Sequence, residues 1–140
     1  MRKRRLDQKV LFRVVDANFN RAKEGLRVCE DTARFVQDSR VLAKGYKDVR
    51  HKLTGAISGF GLQELLSARD IQGDVGRTTT APESVRSSVN DIFHANSQRV
   101  KESLRVLEEF AKLVDITTAE NLKLLRYKVY ALEKSALVGS

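Results

Sequence analysis

The sequence from Asp16 to Arg34 reads DANFNRAKEGLRVCEDTAR, and it returns from His94 to Lys112 as HANSQRVKESLRVLEEFAK. The offset is 78 residues without a gap, and 11 of the 20 residues in 17–36 are identical in 95–114. A shared helix propensity repeats Leu and Glu by chance, but it does not readily repeat Asn, Arg, Glu and Leu-Arg-Val in one register. The sequence therefore predicts a duplicated unit and an approximate internal two-fold axis.

A helical wheel of this repeat, at about 100° per residue, shows one apolar stripe, which we predict to be core. In the first copy the stripe comprises Val15, Phe19, Ala22, Leu26, Cys29 and Ala33; in the second it comprises Ile92 or Phe93, Val100, Leu104, Leu107 and Ala111. Asn18, Arg21 and Gly25 lie along one edge of it, and a small residue one turn from Arg21 leaves room for another backbone or a ligand. The equivalent residues of the second copy are Asn96, Arg99 and Ser103.

The charged residues around the stripe divide into two groups. We interpret Lys23, Glu24, Glu30 and Arg34 as members of ordinary surface ion pairs. Asn18 and Arg21 are different, because asparagine is unfavourable in a helix interior and an arginine at the edge of the stripe is partly desolvated. For this pair a binding role and a structural role remain equal alternatives.

Composition bounds the class of protein. The chain has 140 residues, 41% of them apolar, which suits one domain with a real core. No run of 18 apolar residues predicts a membrane span, and no apolar segment follows the basic residues 2–5, so no signal peptide is expected and a cytoplasmic location fits. Cys29 is the single cysteine, which excludes an intramolecular disulfide; its place in the stripe predicts a buried, inert thiol.

The net charge of +8 favours anionic partners, namely nucleic acid, an acidic membrane or small phosphates. The aromatic fraction is only 6%, with no tryptophan, so platforms on which single-stranded bases stack are scarce.

We predict an all-α bundle made of two helical hairpins, each containing one copy of the repeat. Its parts are a basic arm (1–7), a first repeat (8–59), a loop (69–80) and a second repeat (83–137). The first helix is expected from about Gln8 to Gln37, and Asp38-Ser39 should break it and cap the second. Thr80-Ala81-Pro82-Glu83 and Thr117-Thr118-Ala119-Glu120 are interpreted as capping boxes for later helices, the first of which bends near 88–90. Lys47, Arg50 and Lys52 align with Lys123, Arg126 and Lys128 after a two-residue indel.

The loop from Arg69 to Thr80 (RDIQGDVGRTTT) is the best candidate site. Gly73 and Gly76 would let backbone N–H groups turn towards an anion, and Asp70 and Asp74 have the chemistry to hold Mg²⁺ between phosphates. Three threonine hydroxyls precede a predicted helix N-terminus, which attracts phosphate: Thr78, Thr79 and Thr80. The alternative is a capped surface loop whose Asp and Gly residues serve turn geometry.

Combined with Asn18, Arg21, Asn96 and Arg99, the loop predicts one pocket for a phosphorylated ligand. Familiar nucleotide, metalloprotease and zinc motifs are absent from the sequence. The two histidines, His51 and His94, are interpreted as surface or helix-capping residues.

Four motifs resemble the helical domain often fused N-terminally to bacterial thiamine-phosphate synthase. They are Asp16-Ala17-Asn18-x-Asn20-Arg21-x-x-Glu24-Gly25-Leu26-Arg27-Val28-x-Glu30-Asp31, Ala68-Arg69-Asp70-x-x-Gly73-Asp74-Val75-Gly76, Ala95-Asn96-x-x-Arg99-x-x-Glu102-x-Leu104-Arg105-x-Leu107-Glu108-Glu109 and Leu125-Arg126-Tyr127-x-x-Tyr130-x-Leu132-Glu133-Lys134. The resemblance covers about Arg13 to Lys134, and Cys29 and Arg77 stand where an aliphatic residue and a Thr are expected. No synthase domain follows Ser140, so we expect a stand-alone copy or part of a longer protein.

The resemblance implies an alternative hydroxymethylpyrimidine-phosphate kinase, unrelated to the ribokinase-like enzyme for the same step, which uses ATP to make the diphosphate. The acceptor is a phosphate monoester, already anionic at neutral pH, so the reaction needs charge stabilisation rather than a general base. We therefore expect Asp70, Asp74, Arg21 and Arg99 to be catalytic, with Mg²⁺ on the two aspartates. Phosphate binding is expected from Asn18, Asn96, Arg69, Gly73, Gly76, Thr78, Thr79 and Thr80.

The expected partners are a pyrimidine phosphate, a second copy of the chain in a homodimer and thiamine-phosphate synthase. Two other readings are kept open. One is a non-catalytic helical partner or regulatory domain of the synthase, which would turn over no ATP. The other, less favoured, is a basic helical nucleic-acid-binding protein, whose affinity would fall steeply with salt.

Overall fold

The computed structural model describes residues 6–78 and 85–139. Five α-helices occur in these ranges, with no strand: α1 (Gln8–Asp31), α2 (Arg40–Ser58), α3 (Leu62–Ala68), α4 (Val89–Ala111) and α5 (Ile116–Val138). A π-helical segment, Thr32–Val36, continues α1, which matches the long first helix predicted from the sequence. The predicted all-α class is confirmed. None of the helices in the described ranges is apolar over a length that would span a bilayer.

The core lies between α1 and α4, which pack against each other as the central pair. Helix α2 packs on α1 and α5, α5 also packs on α4, and the short α3 covers part of α1. The stripe predicted for the first copy is buried throughout. In the second copy Phe93 is buried while Ile92 is 38% exposed, so Phe93 is the core residue of the two that the wheel left open.

Gly25 marks the closest approach of the central pair. A Cβ atom at this position would lie 2.6 Å from Val100 Cγ2 and 3.1 Å from the backbone oxygen of Asn96. The small residue of the repeat therefore makes room for another backbone, which is one of the two alternatives that the sequence left open.

The helix starts follow side-chain caps, not all of which were predicted. Ser39 caps α2 as expected, accepting from the Leu42 N–H at 3.2 Å. Helix α4 begins only at Val89, with Ser88 as its cap, so the predicted helix across 85–87 is wrong; the predicted cap at residues 80–83 lies outside the described residues. Helix α5 is capped by Asp115, two residues before the predicted Thr117, because the Asp115 carboxylate accepts from both the Thr117 N–H and the Thr118 hydroxyl.

One ion pair with a buried glutamate joins the two helices of each hairpin. Arg50 Nε on α2 lies 3.0 Å from Glu30 Oε1 on α1, and Arg126 Nη2 on α5 lies 3.1 Å from Glu108 Oε1 on α4. The interpretation of Glu30 as a surface residue is wrong, since its side chain is only 8% exposed. The two pairs occupy equivalent positions of the sequence repeat, which supports a two-fold relation between the hairpins. The superposition of the two whole halves stays a prediction.

Candidate functional site

A cleft of about 650 Å³ lies between the first half of α1 and the loop that follows α3. We call it the α1–loop cleft. Its polar lining from α1 is Arg13, Asp16, Asn18, Asn20, Arg21 and Glu24, and its lining from the loop includes Arg69, Asp70 and Asp74. Arg13, Arg21 and Glu24 share one face of α1, because residues three, four and eight apart lie together on a helix. The sequence therefore places several charged groups of both signs on a single concave surface.

The loop is tied to α1 by a bidentate ion pair at its first residue. Arg69 donates from Nε to Asp16 Oδ2 and from Nη2 to Asp16 Oδ1, both at 2.8 Å. Asp16 is buried, and Asn20 Nδ2 also donates to its Oδ1 at 3.2 Å. The hydrogen bond and the charge of Asp16 raise the pKa of Arg69 above its usual value. Arg69, predicted to bind phosphate, thus has two of its three nitrogen atoms engaged in holding the loop on the helix.

Asp70 and Asp74, the predicted metal ligands, both line the cleft and also shape their own loop. Asp70 Oδ1 accepts from the Gly73 N–H at 2.8 Å, and Asp74 Oδ1 accepts from the Gly76 N–H at 2.9 Å. The two N–H groups predicted to face an anion therefore donate to carboxylates, which is the turn geometry of the alternative reading. One oxygen of each aspartate, Oδ2, is left over from these backbone contacts.

The helix residues predicted for the site divide between the two copies of the repeat. Asn18 and Arg21 line the cleft, whereas Asn96 and Arg99 of α4 do not. The two asparagines have the same local bond, since Asn18 Nδ2 donates to Val14 O at 2.9 Å and Asn96 Nδ2 donates to Ile92 O at 2.8 Å. A single chain therefore does not bring both copies to one cleft.

Arg21 is exposed at the cleft. Its guanidinium makes no hydrogen bond or ion pair to any residue within 6–78 and 85–139. Thr78, the first of the three predicted phosphate-binding threonines, is exposed beyond the residues that line the cleft, and Thr79 and Thr80 lie outside the described residues.

Sequence reasoning missed Arg13 and Glu24 as members of the cleft. Arg13 lies eight residues before Arg21 and Glu24 three residues after it, so the helical wheel contains the signal that would have found them. The Asp16–Arg69 pair had no such signal, because 53 residues separate its members along the chain.

A second polar cluster joins α4 to α5. Glu133 on α5 accepts from the Ser97 hydroxyl in a very short hydrogen bond and from Lys101 Nζ at 3.0 Å. Burial raises the pKa of Glu133, but the hydrogen bonds from Ser97 and Lys101 outweigh it, and the pKa lies below its usual value. Nearby, burial and the charge of Glu133 raise the pKa of the Cys29 thiol to about 12, which fits the predicted inert cysteine.

The α1–loop cleft has donors that suit magnesium bound together with phosphate. In the part of the chain that the structure describes, no three His, Cys, Asp or Glu side chains are grouped closely enough to hold a metal ion on their own. Mg²⁺ is usually held by one or two carboxylates together with phosphate oxygens and waters. Asp70 and Asp74 fit that mode of binding, in which the protein alone does not complete the coordination.

Comparison with known proteins identifies relatives over most of the chain. Residues 13–135 match the profile of the ThiD2 family. The chain is 46% identical over 131 residues to the thiamine-phosphate synthase of Synechocystis sp., covering 93% of this chain and 37% of that protein. The thiamine-phosphate synthase of Nostoc punctiforme is 41% identical over 131 residues, with 93% and 36% covered, and that of Rhodopirellula baltica is 36% identical over 126 residues, with 89% and 34% covered. The chain thus spans little more than a third of the length of these relatives, and no solved structure matches it.

Proposed function

The chain belongs to the ThiD2 family, and from this membership and the α1–loop cleft we propose that it is a phosphotransferase of thiamine biosynthesis. The proposed reaction transfers the terminal phosphoryl group of ATP to hydroxymethylpyrimidine phosphate, giving the diphosphate. The relatives are named for the synthase, which supports the pathway, while the phosphotransferase activity rests on the cleft and on the resemblance of the motifs.

The observation that carries the proposal is the grouping of Arg21, Asp70 and Asp74 in one cleft. The volume of about 650 Å³ lies within the usual range for small-molecule sites. Transfer between two phosphates is limited by bringing anions together, so a site needs cations and a metal rather than a general base. Arg21 supplies a planar cation that pairs with no residue of the described ranges, and the two aspartates supply the carboxylates.

Each residue has a defined part in this proposal. Arg21 binds a substrate phosphate through two N–H groups, because the planar guanidinium matches two phosphate oxygens at once. Asp70 and Asp74 would hold Mg²⁺, and the ion would supply charge neutralisation between phosphates. The Asp16–Arg69 pair positions the loop, and thereby both aspartates, against α1.

Asn96 and Arg99 take part only if a second copy of the chain brings them to the cleft. A homodimer of that kind would explain why their motif resembles that of Asn18 and Arg21 although they lie outside the cleft. In a monomeric enzyme they have no part in the reaction.

The decisive experiment compares Asp74→Asn and Arg21→Lys in a single assay. The protein is incubated with ATP, Mg²⁺ and pyrimidine monophosphates, and the diphosphate is measured by mass spectrometry. Asp74→Asn keeps the acceptor for the Gly76 N–H but loses the charge, so we expect kcat to fall by more than about tenfold, with partial rescue by Mn²⁺. Arg21→Lys keeps the charge but loses the paired contact, so we expect mainly a higher KM for the pyrimidine phosphate.

Arg27→Lys is the matched control, since Arg27 lies on the same helix outside the cleft with its side chain 59% exposed. It should leave both constants unchanged. Wild-type turnover in Asp74→Asn would remove its metal role, and loss of folding in Arg21→Lys would show a structural arginine.

A second candidate function is a non-catalytic helical module of thiamine-phosphate synthase. It is favoured by the loop itself, in which the Gly73 and Gly76 N–H groups are already satisfied by Asp70 and Asp74. This alternative predicts no diphosphate with any pyrimidine monophosphate, together with a change in synthase activity when the chain is added to the synthase.

A further inference from the structure

A second cavity, of about 580 Å³, lies between α2 and α5 and shares no lining residue with the α1–loop cleft. We call it the α2–α5 groove. Val49 and Leu125 are buried beneath it, and Leu124 is 67% exposed at its side. The groove therefore has an apolar floor although it opens to solvent, and an apolar part of a ligand would be removed from water there.

Two lysines line this groove, one from each helix. They are Lys52 and Lys128, which the sequence repeat makes equivalent. Neither has a carboxylate oxygen within 4.0 Å in the described ranges 6–78 and 85–139. The acidic residue of the groove, Asp48, is likewise without an ion pair there. The groove thus combines two uncompensated cations with one carboxylate.

The register of the two helices places these lysines near each other. Gly45 approaches Leu132 so closely that an added Cβ would lie 2.5 Å from Leu132 Cδ2. The helices are antiparallel, since Gln37, just before α2, donates to Ala136 O near the end of α5. Counted from the Gly45–Leu132 approach, Lys52 lies seven residues along α2 and Lys128 four residues back along α5. Their levels therefore differ by about three residues, roughly 5 Å along the bundle, within reach of one phosphate for side chains of this length.

Gly55 keeps the groove open. Glycine is less favourable than alanine inside a helix. It often occurs there because a neighbouring element packs too closely to leave room for a side chain. Here nothing lies within 4 Å of the position that a Cβ would occupy, so packing does not require the glycine. Its missing side chain leaves space in the groove that Asn121 also lines, and the Asn121 side-chain amide makes no hydrogen bond to the described residues.

We propose that the α2–α5 groove binds a small organic phosphate monoester, with the phosphate between Lys52 and Lys128 and a flat apolar group on the floor formed by Val49 and Leu125. Asp48, one turn before Lys52, disfavours polyphosphates because it adds a like charge beside the bound anion. The site is separate from the cleft of the proposed function, so this proposal can be wrong without affecting that function.

The test follows backbone and side-chain amides by NMR during titration with phenyl phosphate, using inorganic phosphate and benzyl alcohol as the two half-ligands. The Gly55 N–H and the Asn121 side-chain amide report on the groove. We expect phenyl phosphate to bind at least about tenfold more tightly than either half-ligand, because it uses both the floor and the lysines. Lys52→Gln and Lys128→Gln should each weaken binding by up to about fivefold. Lys123→Gln is the control, since Lys123 lies on the same helix, over the Tyr127 ring and outside the groove.

A filled groove gives a test that does not depend on charge. Gly55→Leu should abolish the shifts at Asn121 while the protein stays folded, because its Cβ enters open space. Three results would overturn the proposal: equal affinity for inorganic phosphate and phenyl phosphate, unchanged affinity in both lysine variants, or shifts confined to the amides of Gly73 and Gly76 in the cleft. Loss of kinase turnover in the cleft variants would leave this site unaffected, so the two proposals fail separately.

Discussion

Replacing Gly25 with alanine tests the close contact between the two central helices. The new methyl group would meet Val100 Cγ2 at 2.6 Å and the Asn96 backbone oxygen at 3.1 Å. Val100 is fully buried and β-branched, so its side chain has little freedom to turn away. The contact therefore requires a small separation of α1 and α4, and overpacking of this kind costs about 2 to 3 kcal/mol.

Helix propensity acts in the opposite direction. Alanine is favoured over glycine in a helix interior by about 1 kcal/mol, which offsets part of the overpacking. The expected net loss in the free energy of unfolding is about 1 to 2 kcal/mol. For a chain of this size that corresponds to a Tm lower by about 3 to 7 °C.

Gly55→Ala is the matched control, because it makes the same chemical change in a helix where the methyl group meets nothing within 4 Å. Here only the propensity term acts, reduced near the end of α2, and we expect a gain of about 0.5 kcal/mol. Urea denaturation followed by circular dichroism measures both variants. If Gly25→Ala is as stable as the wild type, or gains as much as Gly55→Ala, the close approach is not what makes glycine necessary there.

Three further predictions concern the buried polar groups. Glu108→Gln leaves the buried Arg126 guanidinium without its counter-charge and should cost about 3 to 5 kcal/mol in urea denaturation; a loss below about 1 kcal/mol would mean that the pair is solvated. The Cys29 thiol, with its pKa raised to about 12, should resist iodoacetamide at pH 8 until the protein is unfolded, and labelling of the native protein would contradict its burial. The pKa of Glu133 is lowered on folding, so its stabilisation is present above the unfolded value near pH 4.3 and is lost as the pH falls through the lower folded value. Glu133→Gln should therefore reduce the acid sensitivity of Tm in that window, whereas an unchanged pH profile would show that Lys101 does not stabilise its charge.

The helices were predictable because their periodicity is a local property of the sequence. The stripe from Val15 to Ala33 repeats every three or four residues, and only a helix gathers such residues on one face. Helix starts were less certain, since several side chains compete for the same N–H groups. At α5 the sequence pattern favoured Thr117, but the carboxylate of Asp115 reaches the same turn and accepts two hydrogen bonds.

The paired charges were not predictable, because a helical wheel shows where a residue lies and not what faces it. Glu30 is at the edge of the stripe, where surface and buried positions look alike, and its partner comes from α2. The same limit applies to the loop. Asp70 and Asp74 line the same cleft as Asn18 and Arg21, but the sequence did not show that Gly73 and Gly76 donate to them.

The contrast between Asp16 and its repeat equivalent, His94, explains why the cleft forms on only one half. Asp16 holds Arg69, and this bidentate pair fixes the loop that covers the face of α1 around Arg21. The corresponding position of α4 has a histidine in place of the aspartate. The concave site therefore depends on one aspartate and the loop that it binds, and not on the repeated helix pattern alone.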